Sequence, residues 1–355
     1  MGCLTAPSFG PVHTRRLSKG GKAARCRPRR KATWCPHGRR LSCPQRHKDT
    51  DACLGRPLCP DCYDYDAAVV WNAHAPELWR RTTIALRRRL TRLAAEHGVR
   101  VRLSYAKVAE FQARGVVHFH AILRLDGHDP ADPSRVIPPA AITAAQLAAV
   151  IADAARATWF ATVAHPARPR GWDITWGTQI DTRIVKVTAA GEITDVAVAS
   201  YLAKYATKTT EAVGTIPVRI SDGNLTLYGS PHSHQGRLIS AAWRLGRHRH
   251  ADFQALRRWA HMLGYRGHFS TKSRRYSTTL RALRAARADW QRRRHRTAGQ
   301  LLLEDTATTT VIAVTDLAWA GRGWRTTADA FLALSAAARA REHRLIAREE
   351  MATVR

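Results

Sequence analysis

The stretch from Val99 to Leu125 constrains the fold more than any other part of the chain. Two runs, VRVRLSYAKVAEFQ and GVVHFHAILRL, alternate apolar and polar residues and are separated by a short turn at Ala113-Arg114-Gly115. Strict alternation about a glycine-bearing turn predicts a β-hairpin, because successive side chains of a strand point to opposite faces. Val117, Phe119, Ala121, Leu123 and Leu125 then share one face, and His118, His120, Ile122 and Arg124 the other. If the turn is a three-residue loop with Gly115 left-handed, Gln112 pairs with Val116 and Glu110 with His118. One carboxylate and two imidazoles meet on the polar face, with room for further ligands. Such a set suits Mg²⁺ or Mn²⁺ working on a phosphate better than a closed structural zinc site.

The flanking segments complete a domain. ELWRRTTIALRRRLTRLAAEHG, after Pro76, and AAITAAQLAAVIADAARATW carry helical spacing, and the latter follows a loop rich in Asp, Pro and Gly. GWDITWGTQIDTRIVKV alternates again, and VAVASYLAKYATKTTE is helical. This order predicts an α+β fold with a central antiparallel sheet over residues 77–215. No apolar run is long enough to span a bilayer and the basic N-terminus has no signal-peptide core, so a cytoplasmic protein with no membrane partner is expected.

The last of these helical stretches places Tyr201 and Tyr205 four residues apart, on one face, with Lys204 and Lys208 on adjoining rows. A phenol titrates near pH 10, so neighbouring cations favour the phenolate and a nucleophilic role. Lysines there also suit the phosphodiester under attack. The chain as a whole carries 58 Lys and Arg against 27 Asp and Glu, a formal charge of +31. That excess selects a polyanionic partner, of which nucleic acid is the commonest.

All seven cysteines precede residue 63. Cys59 and Cys62 form a CPDC pair, and with Cys35, Cys43 and Cys53 they are the candidate ligands of a Zn²⁺-binding module. Cys26, His37 and His47 bring the supply to one or two tetrahedral sites, and Cys3 is left over as a free thiol. The chain therefore divides into a basic disordered tail over 1–25, a zinc module over 26–76, the sheet domain over 77–215 and a basic, helix-rich region over 216–355. Arg274 and Arg275 of that last region are expected to touch DNA phosphates, with Tyr276 or Trp290 stacking on unpaired bases.

EFQARGVVHFH and YLAKYATK resemble two motifs of the HUH endonucleases, the histidine-hydrophobic-histidine nicking enzymes, in their two-tyrosine form. With GRPLCPDCYDYDAAVVWNAHAPELWRRT and GYRGHFSTKSRRYSTT, the chain is similar to rolling-circle replication initiators of actinomycete plasmids and integrative conjugative elements. The resemblance covers scattered residues between about 53 and 280. It implies a ferredoxin-like or palm-like sheet with His118, His120 and Glu110 as metal ligands, Tyr205 as first nucleophile, Tyr201 as second and Lys204 beside the phosphate or metal. It also implies origin DNA, duplex and single-stranded, as substrate, and a host helicase and DNA polymerase as partners. The family's remaining motif, an apolar-Leu-Thr-apolar-Thr strand, has no plain match upstream of the histidines. A two-tyrosine transposase shares the same combination of features, and a non-catalytic zinc-dependent DNA-binding regulator would account for the charge and cysteines alone.

Overall fold

The computed structural model describes residues 2–18, 20–127, 141–184, 216, 218–274, 279–296 and 334–335. The hairpin is its organising element. Strands β4 (Val101–Phe111) and β5 (Val117–Gly127) pair from Val101↔Gly127 to Phe111↔Val117. Their loop is closed by the Gln112 N–H donating to Val116 O at 2.9 Å and the Gly115 N–H donating to Gln112 O at 2.8 Å. Gly115 is left-handed with φ +73°, and a Cβ there would lie 2.4 Å from Leu238 Cδ1. Both conformation and space require glycine, and the resulting register sets Glu110 against His118.

β5 is the middle strand of five. The sheet runs β8-β1-β5-β4-β9, with β1 (Gly2–Leu4), β8 (Ile180–Thr182) and β9 (Ser270–Lys272), and every adjacent pair is antiparallel. The tail expected over residues 1–25 is thus corrected: its first residues are an interior strand, with Cys3 opposite His120 and Leu4 opposite Phe119. Three residues bonded on both sides need no apolar run of their own to be held. Gly2 and Leu4 are buried, and Cys3 takes the opposite face. Two-residue strands β2 (Arg16–Leu17) and β3 (Ala23–Ala24) follow, as do isolated bridges Val12↔Pro57, Arg27↔Cys43 and Trp34↔Arg40.

Helix α1 (Tyr65–Glu96) covers the apolar face of the sheet. The Asp64 side chain caps it by accepting from the Ala67 N–H at 2.8 Å. The helix begins eleven residues before Pro76, which lies inside it. Burial of Ala68–Ala75 offsets the roughly 3 kcal/mol that an interior proline costs. Trp79 meets Phe119 edge-on at 6.0 Å between ring centroids. Helix α2 (Ala144–Ala157), opened by a Thr143–Gln146 capping box, closes a second cluster over Leu86, Leu90, Leu103 and Leu125. β6 (Trp159–Ala161) and β7 (Asp173–Thr175) form a separate ribbon.

Helices α3 (His234–Leu245) and α4 (Ala251–Arg258) join the core beneath α1. The chain forms two compact units, residues 1–283 and 284–355; most of helix α5 (Leu280–Arg296) belongs to the second. No helix among the described residues is long and apolar enough to cross a membrane.

Candidate functional site

The polar face of the sheet brings together the three residues that the alternation puts there. His118 and His120 leave β5 two residues apart, and Glu110 rises from β4 across from His118. Glu110 Oε2 lies 3.2 Å from Nε2 of His118 and 3.2 Å from Nε2 of His120, and the two nitrogens are 2.8 Å apart. Hydrogen bonds from the two histidines hold the Glu110 carboxyl down at about 2, against the opposing effect of burial. It is therefore a carboxylate throughout the neutral range. For a metal–ligand distance of 2.0–2.1 Å, adjacent donors of an octahedron stand about 2.9 Å apart. The observed triangle matches one face of that figure.

Cys3 enters this site from β1. Its Sγ lies within 4.8 Å of the histidine nitrogens. Burial, and next the carboxylates of Asp181 and Glu110, push its thiol up to about 11. Sequence reasoning left Cys3 free because its strand is three residues long and the partner strands lie more than a hundred residues away. The register explains its position in full.

What holds the hairpin in place is Asn72 of α1. Fully buried, it donates through Nδ2 to Gly115 O and Leu263 O, each at 2.9 Å, and accepts from the Val117 N–H at 3.0 Å. Beneath the sheet Lys107 is buried against Phe119, with Nζ 4.3 Å from the ring centroid and donating to His268 O at 3.0 Å. Burial brings its ammonium down to about 8. Tyr201, Lys204, Tyr205 and Lys208 lie outside the described residues, as does Arg275. Arg274 is exposed directly after Ser273, which ties the edge of the sheet by exchanging hydrogen bonds with the Tyr105 backbone.

The cysteine-rich segment resolves into two four-residue groups. Cys35, His37, Cys59 and Cys62 converge in one, and His13, Cys26, Cys43 and His47 in the other. All seven cysteines are free thiols. Cys53, expected among the ligands, is in neither of these two groups but lies 3.4 Å from His47 Nδ1 and forms a smaller group with His47 and Asp51. His13 was missed because it stands alone in sequence, within the stretch taken as a tail. Arg15, Arg16, Arg25, Arg29, Arg30 and Lys31 are exposed over this segment, and Arg16, Arg27 and Arg29 line a cavity of about 450 Å³.

A family model described as "RepSA: Replication initiator protein, pSAM2" matches residues 2–338. The chain belongs to this family of replication initiators. A curated replication initiator protein of Streptomyces ambofaciens is 42% identical over 360 residues, an alignment covering 98% of this chain and 71% of the relative. No solved structure matches the chain. Among the described residues, this replication initiator of the Streptomyces plasmid type offers metal-ligand side chains on the polar face of the sheet and, in the cysteine-rich segment, two four-residue groups and a smaller one of His47, Asp51 and Cys53.

Proposed function

We propose that this initiator nicks one strand of its origin DNA through a tyrosine nucleophile at the Glu110–His118–His120 face. The observation that carries the reading is the donor triangle of 2.8, 3.2 and 3.2 Å, built on the central strand of the sheet. Glu110, His118 and His120 would hold a Mg²⁺ or Mn²⁺ ion, which would supply positive charge to the scissile phosphate. Tyr205, as phenolate, attacks phosphorus; the P–O3′ bond breaks, and the 3′-oxygen leaves as a free hydroxyl after taking a proton. The phosphate stays on the tyrosine as a 5′-phosphotyrosine, so the bond energy is kept for religation. Lys204 and Lys208 hold the phosphodiester, and Tyr201 serves the second cleavage, at termination. The released 3′-OH primes a host polymerase, with a host helicase opening the duplex ahead of it.

The strand Gly2–Leu4 supports the same reading. Leu4 pairs with Phe119 of the histidine strand and Thr5 follows it, in keeping with the Leu-Thr part of the family's remaining motif, although Pro7 stands where that motif has its second Thr. The cysteine-rich segment, bearing Zn²⁺ and a basic surface, grips duplex backbone at the origin, and Arg274 and Arg275 add phosphate contacts. A supercoiled plasmid carrying the cognate origin tests the proposal. Divalent-metal-dependent nicking with protein covalently attached at the 5′ end is expected, lost in Tyr205→Phe and in His120→Ala. Origin-specific binding without nicking in any divalent metal would overturn it.

A further inference from the structure

Residues 13–62 contain almost nothing that folds a chain by itself. Among the described residues between Val12 and Tyr63, the buried non-polar side chains other than proline are the four cysteines Cys26, Cys35, Cys43 and Cys59. Regular structure is confined to β2, β3 and a single turn of 3₁₀ helix at Pro60–Cys62. A segment this poor in apolar burial requires another source of folding free energy.

Donor geometry supplies the candidate. In a tetrahedral zinc site, Zn–S of 2.3 Å and Zn–N of 2.0–2.1 Å set sulfur and nitrogen about 3.5 Å apart and two nitrogens about 3.3 Å apart. In the first group, His37 Nδ1 is 3.2 Å from Cys62 Sγ and 3.7 Å from Cys59 Sγ. In the second, His47 Nε2 is 3.4 Å from Cys43 Sγ and 3.2 Å from His13 Nδ1. Each of these distances falls on a tetrahedral edge. The second group also has the outer contacts a zinc site uses. Asp51 Oδ2 accepts from the Nδ1–H of His47 at 3.0 Å, which leaves the Nε2 lone pair aimed at the group, and the Thr14 N–H donates to Cys26 Sγ at 3.2 Å.

We infer that residues 13–62 hold two separate zinc ions, one on Cys35, His37, Cys59 and Cys62 and one on His13, Cys26, Cys43 and His47. The inference rests on the zinc-module reading above and fixes its count and ligands. The two sites differ in chemistry, three thiolates with one imidazole against two with two. Their positions differ as well: the first abuts the start of α1 through Cys59–Cys62, and the second closes the Arg27↔Cys43 bridge. We leave Cys53 out of both ligand sets: it meets His47 on the Nδ1 side, together with Asp51, whereas Nε2 faces Cys43 and His13.

Native mass spectrometry of the full chain, purified with zinc, tests this. Two zinc ions are expected in the wild type, one in Cys59→Ser/Cys62→Ser, one in Cys26→Ser/Cys43→Ser and two in Cys53→Ser. An additional ion that disappears in His118→Ala/His120→Ala belongs to the sheet, and the two that remain support the inference. Cadmium-113 NMR of the exchanged wild-type protein, which needs no variant to fold, is expected to give two resonances, one in the three-sulfur and one in the two-sulfur range. A single ion, a single resonance, or loss of an ion in Cys53→Ser overturns the two-site assignment. No zinc at all would overturn the module reading with it, and neither result bears on nicking at the sheet.

Discussion

Glu110 carries a disproportionate share of the site's chemistry. It is the only anion in the donor triangle, and its two histidine contacts keep it ionised down to about pH 2. Glu110→Gln keeps the size and one oxygen but removes the charge. The expected outcome is a loss of Mn²⁺ affinity of at least about 100-fold, measured by calorimetry, since even residues behind a metal's ligands cost 10–100-fold. The sign of its pH dependence follows from the same shift. A carboxyl held below its unfolded value of 4.5 contributes stability that is complete above that pH and is lost as pH falls toward about 2. Asn72 acts differently, through the backbone. Asn72→Leu leaves the Val117 N–H and two carbonyls without their partner, and should cost about 2–4 kcal/mol in urea denaturation. An Asn72→Ser variant, too short to bridge all three groups, should recover little of it.

At the scale of the hairpin, much was legible in the sequence and the reason is locality. A loop of three residues with one glycine fixes its own register, so Glu110 opposite His118 follows from the spacing of neighbouring residues, and the structure has that register. The strand at Gly2–Leu4 was not legible: it is too short for periodicity, and its neighbours β5 and β8 are distant in sequence. The division of the cysteines and histidines into two groups was hidden for the same reason, because spacing constrains ligands only when they share a turn, as Cys59 and Cys62 do. The underside of the hairpin offers a separate test. Lys107, with an unfolded value of 10.5 and about 8 in the fold, releases its proton earlier in the folded state. Stability therefore rises with pH between about 8 and 10.5, and below that window the folded chain bears the whole cost of a buried ammonium. Lys107→Met should stabilise the protein at pH 7 by on the order of 1–3 kcal/mol, with the gain shrinking by pH 9.5. Tyr265 Oη continues to donate to His268 O at 3.0 Å, so that carbonyl is not abandoned.

Across the first unit as a whole, the hairpin turn is where separate parts of the chain meet. Arg114 donates to Ala6 O at 3.0 Å and Pro7 O at 2.8 Å, joining the turn to the residues that follow β1. Its own carbonyl lies 3.0 Å from His234 Nε2 of α3, and Asn72 of α1 reaches Gly115. The cysteine-rich segment touches the same turn through Gly55, whose φ is +80° and whose absent Cβ would stand 2.2 Å from the Ala113 carbonyl carbon. The cysteine-rich segment and the turn of the hairpin that carries Glu110, His118 and His120 thus share a close boundary, and no side chain fits between Gly55 and Ala113. Gly55→Val must move one against the other. Because Gly55 belongs to neither ligand group, zinc content should stay unchanged, while the turn shifts and with it the register-dependent approach of Glu110 to His118. The expected result is a weakening of Mn²⁺ binding by roughly tenfold or more, about 1.4 kcal/mol, together with faster amide exchange over residues 112–118. Gly38→Val serves as the control, since Gly38 is also left-handed, at φ +68°, but faces open space. It should strain its own turn and leave Mn²⁺ affinity where it was. If both variants weaken Mn²⁺ equally, backbone strain within the cysteine-rich segment is the cause and the shared turn is not.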